Sequence, residues 1–152
     1  MEQYVNRAFW RVMMADISIK GFSPKSSAGE EFYLHTTDWW MDILYLFDDL
    51  VPEDQEIDEY FVRECMFCPI TPWVEEEEAK KLAEVIDKYL NDEVVRDYLL
   101  DKYSIDPLYV DYFDNDEEMM QESINERLEQ LKDFSSFLKE SGGCRANWYG
   151  ME

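Results

Sequence analysis

A chain of 152 residues with 46% hydrophobic and 16% aromatic side chains is long enough to build a core and too rich in rings for a disordered polymer, so residues 1–152 read as one acidic globular domain. Its 36 acids against 14 bases give a formal charge of −22, a field that repels polyphosphates and anionic membrane surfaces and excludes direct nucleic-acid binding. The excess is uneven: residues 1–50 carry net −4 and residues 51–152 net −18.

Residues 3–20 carry two patterns. Phe9, Val12 and Met13 suit a helix, whereas Ile17 and Ile19 alternating with Asp16, Ser18 and Lys20 suit a strand, and both readings stay open. No charged segment followed by an apolar one and a small-residue cleavage site opens the chain, and its most apolar stretch, residues 39–51, is too short for a membrane span. A cytoplasmic protein is expected, and an odd count of three cysteines fits reduced thiols better than a disulfide framework. "GFSPKSSAGEE" reads as a loop and the following "EFYLHTT" as a strand, which together predict a small N-terminal β-hairpin.

Helix signals dominate from there. Thr37 is a candidate N-cap for a helix over residues 38–51, with Trp39, Trp40, Ile43, Leu44, Phe47, Leu50 and Val51 as its buried stripe and Pro52 as its stop. A shorter helix is expected over residues 58–66. Thr71 before Pro72 marks the start of another, with Leu82, Ala83, Ile86, Tyr89 and Leu90 at helical spacing up to Asn91. Asp92 is a candidate cap for a helix over residues 93–103, facing inward through Val95, Tyr98, Leu99 and Tyr103. "SIDPLYVDYF" reads as a turn with a short aromatic piece. Asn115, with Glu118 three residues on, resembles a capping box for a long last helix that Gly142-Gly143 ends. The tail "RANWYGME" either folds back onto the core or offers Trp148 and Tyr149 to a partner. The expected architecture is mainly α, a compact bundle of about four to six helices with the small hairpin, α+β being the alternative.

Two helices are conspicuously acidic, and they differ. In "EEEEAKK" the pairs Glu76–Lys80, Glu77–Lys81 and later Glu84–Lys88 stand at i,i+4 with the acid first, an order worth roughly 0.2–0.5 kcal/mol a pair, so a solvated face accounts for this segment. Along the last helix, at about 100° per residue, Glu118, Glu122, Glu126, Glu129, Asp133 and Glu140 fall in one narrow sector opposite Met120, Ile124, Leu128, Leu131, Phe134 and Leu138. Here Glu118–Glu122, Glu122–Glu126 and Glu129–Asp133 are like-charge i,i+4 pairs, which cost about what mixed pairs gain. Four residues of helix rise about 6 Å, close to the spacing of neighbouring phosphates on a nucleic-acid strand, so the stripe is shaped to enter a basic groove. Asp114, Asp116 and Glu117 extend it at its start, as does Asp111, and a second acidic group (Asp48, Asp49, Glu53, Asp54, Glu56, Asp58 and Glu59) surrounds Pro52.

For metal chemistry, Cys65 and Cys68 form a C-x-x-C, and adding Cys144 and the single histidine, His35, makes one Cys₃His zinc set. The set lacks the second close pair that zinc sites usually show, and Met66 and Phe67 make the turn apolar, so no metal or other cofactor is expected and zinc is the alternative. No P-loop, G-x-S-x-G, G-x-G-x-x-G, H-E-x-x-H or EF-hand spacing occurs, and an enzyme is not expected. The leading expectation is an acidic protein-binding inhibitor of a basic partner: a nuclease, a toxin or a nucleic-acid-binding complex. Immunity proteins and anti-defence proteins that imitate nucleic acid are the settings that fit. The alternatives are the zinc module and an acidic regulatory domain whose charge serves solubility.

Overall fold

The structure, a computed structural model, describes residues 16–34, 38–55, 61–62 and 73–149. In chain order these form β1 (Asp16–Gly21), a 3₁₀ turn (Ser27–Gly29), β2 (Glu31–Leu34), α1 (Asp38–Leu50), β3 (Trp73–Glu75), α2 (Glu76–Tyr89), α3 (Asp92–Ile105), α4 (Pro107–Phe113), α5 (Glu117–Glu140) and β4 (Gly143–Tyr149). The protein is mainly α with a small antiparallel sheet. Phe61 and Val62 are helical and buried; the rest of the helix expected over residues 58–66, with the caps Thr37 and Thr71, lies outside the described residues.

The hairpin forms, with Ile19 opposite Phe32 and Ile17 opposite Leu34, but it is half of a larger sheet of order β2-β1-β4-β3. The C-terminal segment is its second central strand, pairing Ile19 with Ala146 and Val74 with Cys144. Period-2 alternation then sorts the side chains. Ile19, Phe32, Leu34, Val74, Cys144 and Ala146 face the helices and are buried, whereas Lys20, Tyr33, Trp73 and Arg145 are exposed. This pairing corrects the helix start expected at Pro72: residues 73–75 are extended because Val74 completes the inner face, and the helix begins at Glu76.

Other boundaries shift for identifiable reasons. Asn91, not Asp92, caps α3, its side chain accepting from the Val94 N–H at 3.2 Å. "PLYVDYF" is a helix and not a turn, since Asp106 caps it and Pro107 supplies a first-turn residue with no N–H to satisfy. Asp116 replaces Asn115 as the cap of α5, accepting from Met119 N at 3.1 Å, because Asp114 and Asn115 adopt left-handed φ of 47° and 61° to turn the chain. Gly142 and Gly143, at φ of 69° and 92°, end α5 as expected. The last carbonyls of α5 and the residues after it are satisfied by the β1–β2 loop: Lys25 N–H donates to Glu140 O at 2.8 Å and Ser23 N–H to Ser141 O at 2.9 Å. Gly29 closes this contact, since a Cβ there would lie 2.0 Å from the Glu140 carbonyl oxygen.

The apolar face of α5 packs on α2, α3 and the sheet. Phe134 stacks 4.9 Å from Phe32 and meets Trp40 edge-on at 5.4 Å, while the Trp40 indole N–H donates to Val62 O at 2.9 Å. Within this apolar interior sits one ionic cluster. Asp42 of α1 and Arg127 of α5 are both fully buried, with Arg127 Nε 3.3 Å from Asp42 Oδ2. The Tyr103 hydroxyl donates to Asp42 Oδ2 at 2.6 Å, the Tyr109 hydroxyl to Oδ1, and Arg127 also donates to Gln130. Burial pushes the Asp42 carboxyl above its ordinary range, opposed by the guanidinium and the two hydroxyls. Burial and then the Asp42 charge push both phenols up, so they remain donors.

Removing one partner of such a pair strands a buried charge, at a cost of about 3–5 kcal/mol. Arg127→Met is therefore expected to destabilise by that amount in urea unfolding. The double variant Arg127→Met with Asp42→Asn should lose clearly less than the sum of the single losses; strict additivity would show that the two side chains do not act as a unit. Gly29→Ala should cost at least about 1–3 kcal/mol by overpacking, read in the same unfolding assay, whereas Ser27→Ala, at an exposed position of the same turn, should be close to neutral.

Candidate partner-binding face

Glu118, Glu122, Glu126, Glu129 and Asp133 all lie exposed along α5, over about 22 Å of helix. None makes an ion pair among the described residues. The two lysines of α5 that could neutralise them turn elsewhere: Lys132 pairs with Asp92 at the start of α3, at 2.9 Å, and Lys139 pairs with Asp87 of α2. Arg96 of α3 reaches α5 but binds amides, Gln121 at 3.2 Å and Asn125 at 2.9 Å. Bases near the stripe are thus used to tie helices together, and the stripe keeps its charge.

At the start of α5, Asp114 and Glu117 are exposed, and Asp116 is exposed although one carboxylate oxygen serves the Met119 N–H. The structure brings these three next to Glu118, so the candidate set is continuous. Glu140 is half-buried beneath the β1–β2 loop and belongs to the anchor of α5 more than to the open face. Around Pro52, Asp48, Asp49, Glu53 and Asp54 are exposed, with Asp49 accepting from the Tyr98 hydroxyl; Glu56, Asp58 and Glu59 lie outside the described residues.

The other acidic helix behaves as a solvated face with altered pairing. Lys80 takes Glu76 at 3.1 Å, which also accepts from Lys25; Lys81 takes Glu78 at 3.6 Å in place of Glu77; and Lys88 lies 5.1 Å over the Tyr89 ring in place of pairing with Glu84.

Of the Cys₃His set, Cys65, Cys68 and His35 lie outside the described residues. Cys144 is fully buried on the inner face of β4, where burial pushes its thiol up to about 12. Among the described residues no group of three or more His, Cys, Asp or Glu is placed to hold a metal ion. No helix among them is long and apolar enough to cross a membrane.

Beside the start of the stripe lies a groove of about 380 Å³ between α3, α4 and α5. Tyr103 and Met120 are its buried floor, and Leu100 and Val110 its more open apolar wall. Period counting for a buried face passes over Leu100, because that residue lies on the flank of α3, outside the row of Val95, Leu99 and Tyr103. Comparison with known protein families, with curated proteins and with solved structures found no match.

The Lys139–Asp87 link has a pH signature. Burial works against ionisation of Asp87, but hydrogen bonds from Lys139 and Ser135, the latter at 2.6 Å, hold its carboxyl below the ordinary value of 3.8. A carboxyl lowered on folding stabilises above its unfolded pKa, and that contribution is lost as pH falls through the folded value. Both groups of the ion pair are about half exposed, so Asp87→Asn should cost only about 0.2–1 kcal/mol at pH 7. The deficit should close once the pH is well below 3.8. Thermal melts of both proteins across pH check this, and a deficit that persists in acid would exclude the ionic origin.

Proposed function

We propose that this protein is a non-enzymatic inhibitor that binds a basic, nucleic-acid-handling partner, such as a nuclease, a toxin or a defence complex, and occupies its polyanion groove with the acidic face of α5. The observation that supports this reading most is the set of five exposed acids on one helical sector, none of them in an ion pair among the described residues, while Lys132 and Lys139 of the same helix are directed to α3 and α2. A rigid helix with carboxylates about 6 Å apart presents charge at nearly the interval of a phosphate backbone. Opposite fields accelerate encounter and fix register, and several Lys and Arg contacts make affinity strongly salt-dependent. In this role the protein works in the cytoplasm as an immunity or anti-defence protein, without metal or cofactor.

Immobilised protein should capture basic nucleic-acid-binding proteins at low salt and release them by about 0.5 M NaCl. Glu122→Lys, Glu126→Lys and Asp133→Lys combined should abolish capture. The same substitutions turn the 118/122 and 129/133 pairs from like-charged to mixed and leave 122/126 like-charged, each pair being worth about 0.2–0.5 kcal/mol, so the variant should melt no lower than the native chain. Capture that survives these substitutions in a folded variant, or a captured set without basic proteins, would overturn the reading.

A further inference from the structure

We propose that the groove between α3, α4 and α5 seats an apolar side chain of this partner, flanked on the partner by Lys or Arg; this rests on the reading of α5 as the partner-binding face. At about 380 Å³, the groove lies near the small end of the roughly 300–1,000 Å³ of ligand pockets, room for one or two large side chains rather than a whole helix. Its open apolar element, Leu100, is 41% exposed. Met120 in the floor has an unbranched thioether side chain that adapts to an incoming shape.

Two of the four polar residues in its walls, Ser104 and Gln121, are engaged within the protein, and the other two are Asn115 and Glu117. The Ser104 hydroxyl donates to Leu100 O at 2.7 Å, and Gln121 Oε1 accepts from Arg96 at 3.2 Å. Leu100, Val110 and Met120 offer contacts to an apolar occupant, and the Glu117 carboxylate in the lining favours a cation beside it.

Charge selects what surrounds that occupant. Asp97 and Asp101 on α3, Asp111 and Asp114 at the end of α4, and Glu117 and Glu118 on α5 each stand within a turn of a lining residue. All six are exposed and none forms an ion pair among the described residues. Of the bases at this end, Arg96 is held by Gln121 and Asn125, and Lys102 by Asp106, at 3.8 Å, and by the Tyr45 ring. An apolar anchor between anionic residues would be repelled, whereas one between cationic residues meets a complementary rim. Because Gln121 stands three residues after Glu118, the two are neighbours on the helix surface, and a chain reaching the start of the stripe passes the mouth of the groove. An aliphatic anchor there would supply the desolvated centre that charge at an exposed rim does not.

Three fluorescein-labelled synthetic peptides test this by anisotropy with the full chain at low salt: a Lys/Arg peptide with one central leucine, its serine counterpart, and a glutamate-flanked leucine peptide. The basic leucine peptide should bind about tenfold tighter than the serine one, and it alone should shift the Met120 methyl resonance. Leu100→Ser should erase the tenfold difference and leave binding of the serine peptide unchanged. Should that variant fail to fold, the Met120 resonance of the native chain still decides. Equal, salt-sensitive binding of the two basic peptides without a Met120 shift would overturn the groove and leave the acidic-face reading standing. Equal binding of the glutamate-flanked peptide would overturn the charge selection, and no binding by either basic peptide would count against both proposals.

Discussion

The buried Asp42–Arg127 pair constrains everything around it. One carboxylate on α1 accepts from a guanidinium on α5 and from phenols on α3 and α4, so four helices must arrive in one relative placement for the cluster to be satisfied. An apolar interface tolerates sliding by a residue, but a buried charge does not, because a missed partner costs several kcal/mol. Arg127 also stands near the middle of the apolar face of α5, roughly opposite the acidic sector. Locking it inward fixes the rotation of the helix and holds Glu118, Glu122, Glu126, Glu129 and Asp133 toward solvent. The orientation of the acidic face is thus a consequence of the interior.

With 14 bases against 36 acids, the placement of each base decides where the field remains. Lys132 and Lys139 link α5 to α3 and α2, Arg96 links α3 to α5, Lys25 holds the β1–β2 loop to the start of α2, and Lys102 lies 3.9 Å over the Tyr45 ring. These bases bridge elements rather than cover the exposed edge of α5. A chain optimised only for stability would break up that edge with lysine at i,i+4, as "EEEEAKK" does. The cost is small per pair, and it is concentrated on the one long helix whose opposite face is anchored most firmly.

The stripe on α5 was legible in the sequence because the apolar and acidic sectors of a long helix repeat with its own period, and nothing distant is needed to see them. The glycine stop after α5 and the hairpin were legible for the same local reason. What was missed depends on residues far apart in the chain. Asp42 and Arg127 are 85 positions apart; between Asp38 at its start and Asp48 and Asp49 at its end, Asp42 is the single acid in an otherwise apolar stretch of α1 and reads as an interruption. Arg127 carried a visible signal, a base in the centre of an apolar sector, which demands a buried acceptor without saying where. The strands β3 and β4 were lost in another way. Three residues at 73–75 follow a strong helix-start signal, and "RANWY" lacks a partner until β1 lies beside it, so tertiary pairing overrides local preference.

In the proposed role the two features of the face divide the work between rate and residence. Charges exposed along α5 act at a distance, raising the encounter rate and setting register, and salt weakens their contribution. An apolar contact in the groove acts only after docking, through burial, and slows departure with little dependence on salt. A stripe without an anchor would attract any basic groove, whereas an anchor at one end distinguishes partners carrying an aliphatic residue in that position. The groove sits at the end of the stripe where α3, α4 and α5 converge, the same helices that Tyr103, Tyr109 and Arg127 join to Asp42. Tyr103 belongs to both, its ring in the groove floor and its hydroxyl on Asp42. The ionic cluster that sets the rotation of α5 therefore also sets the shape of the place where a partner side chain would enter.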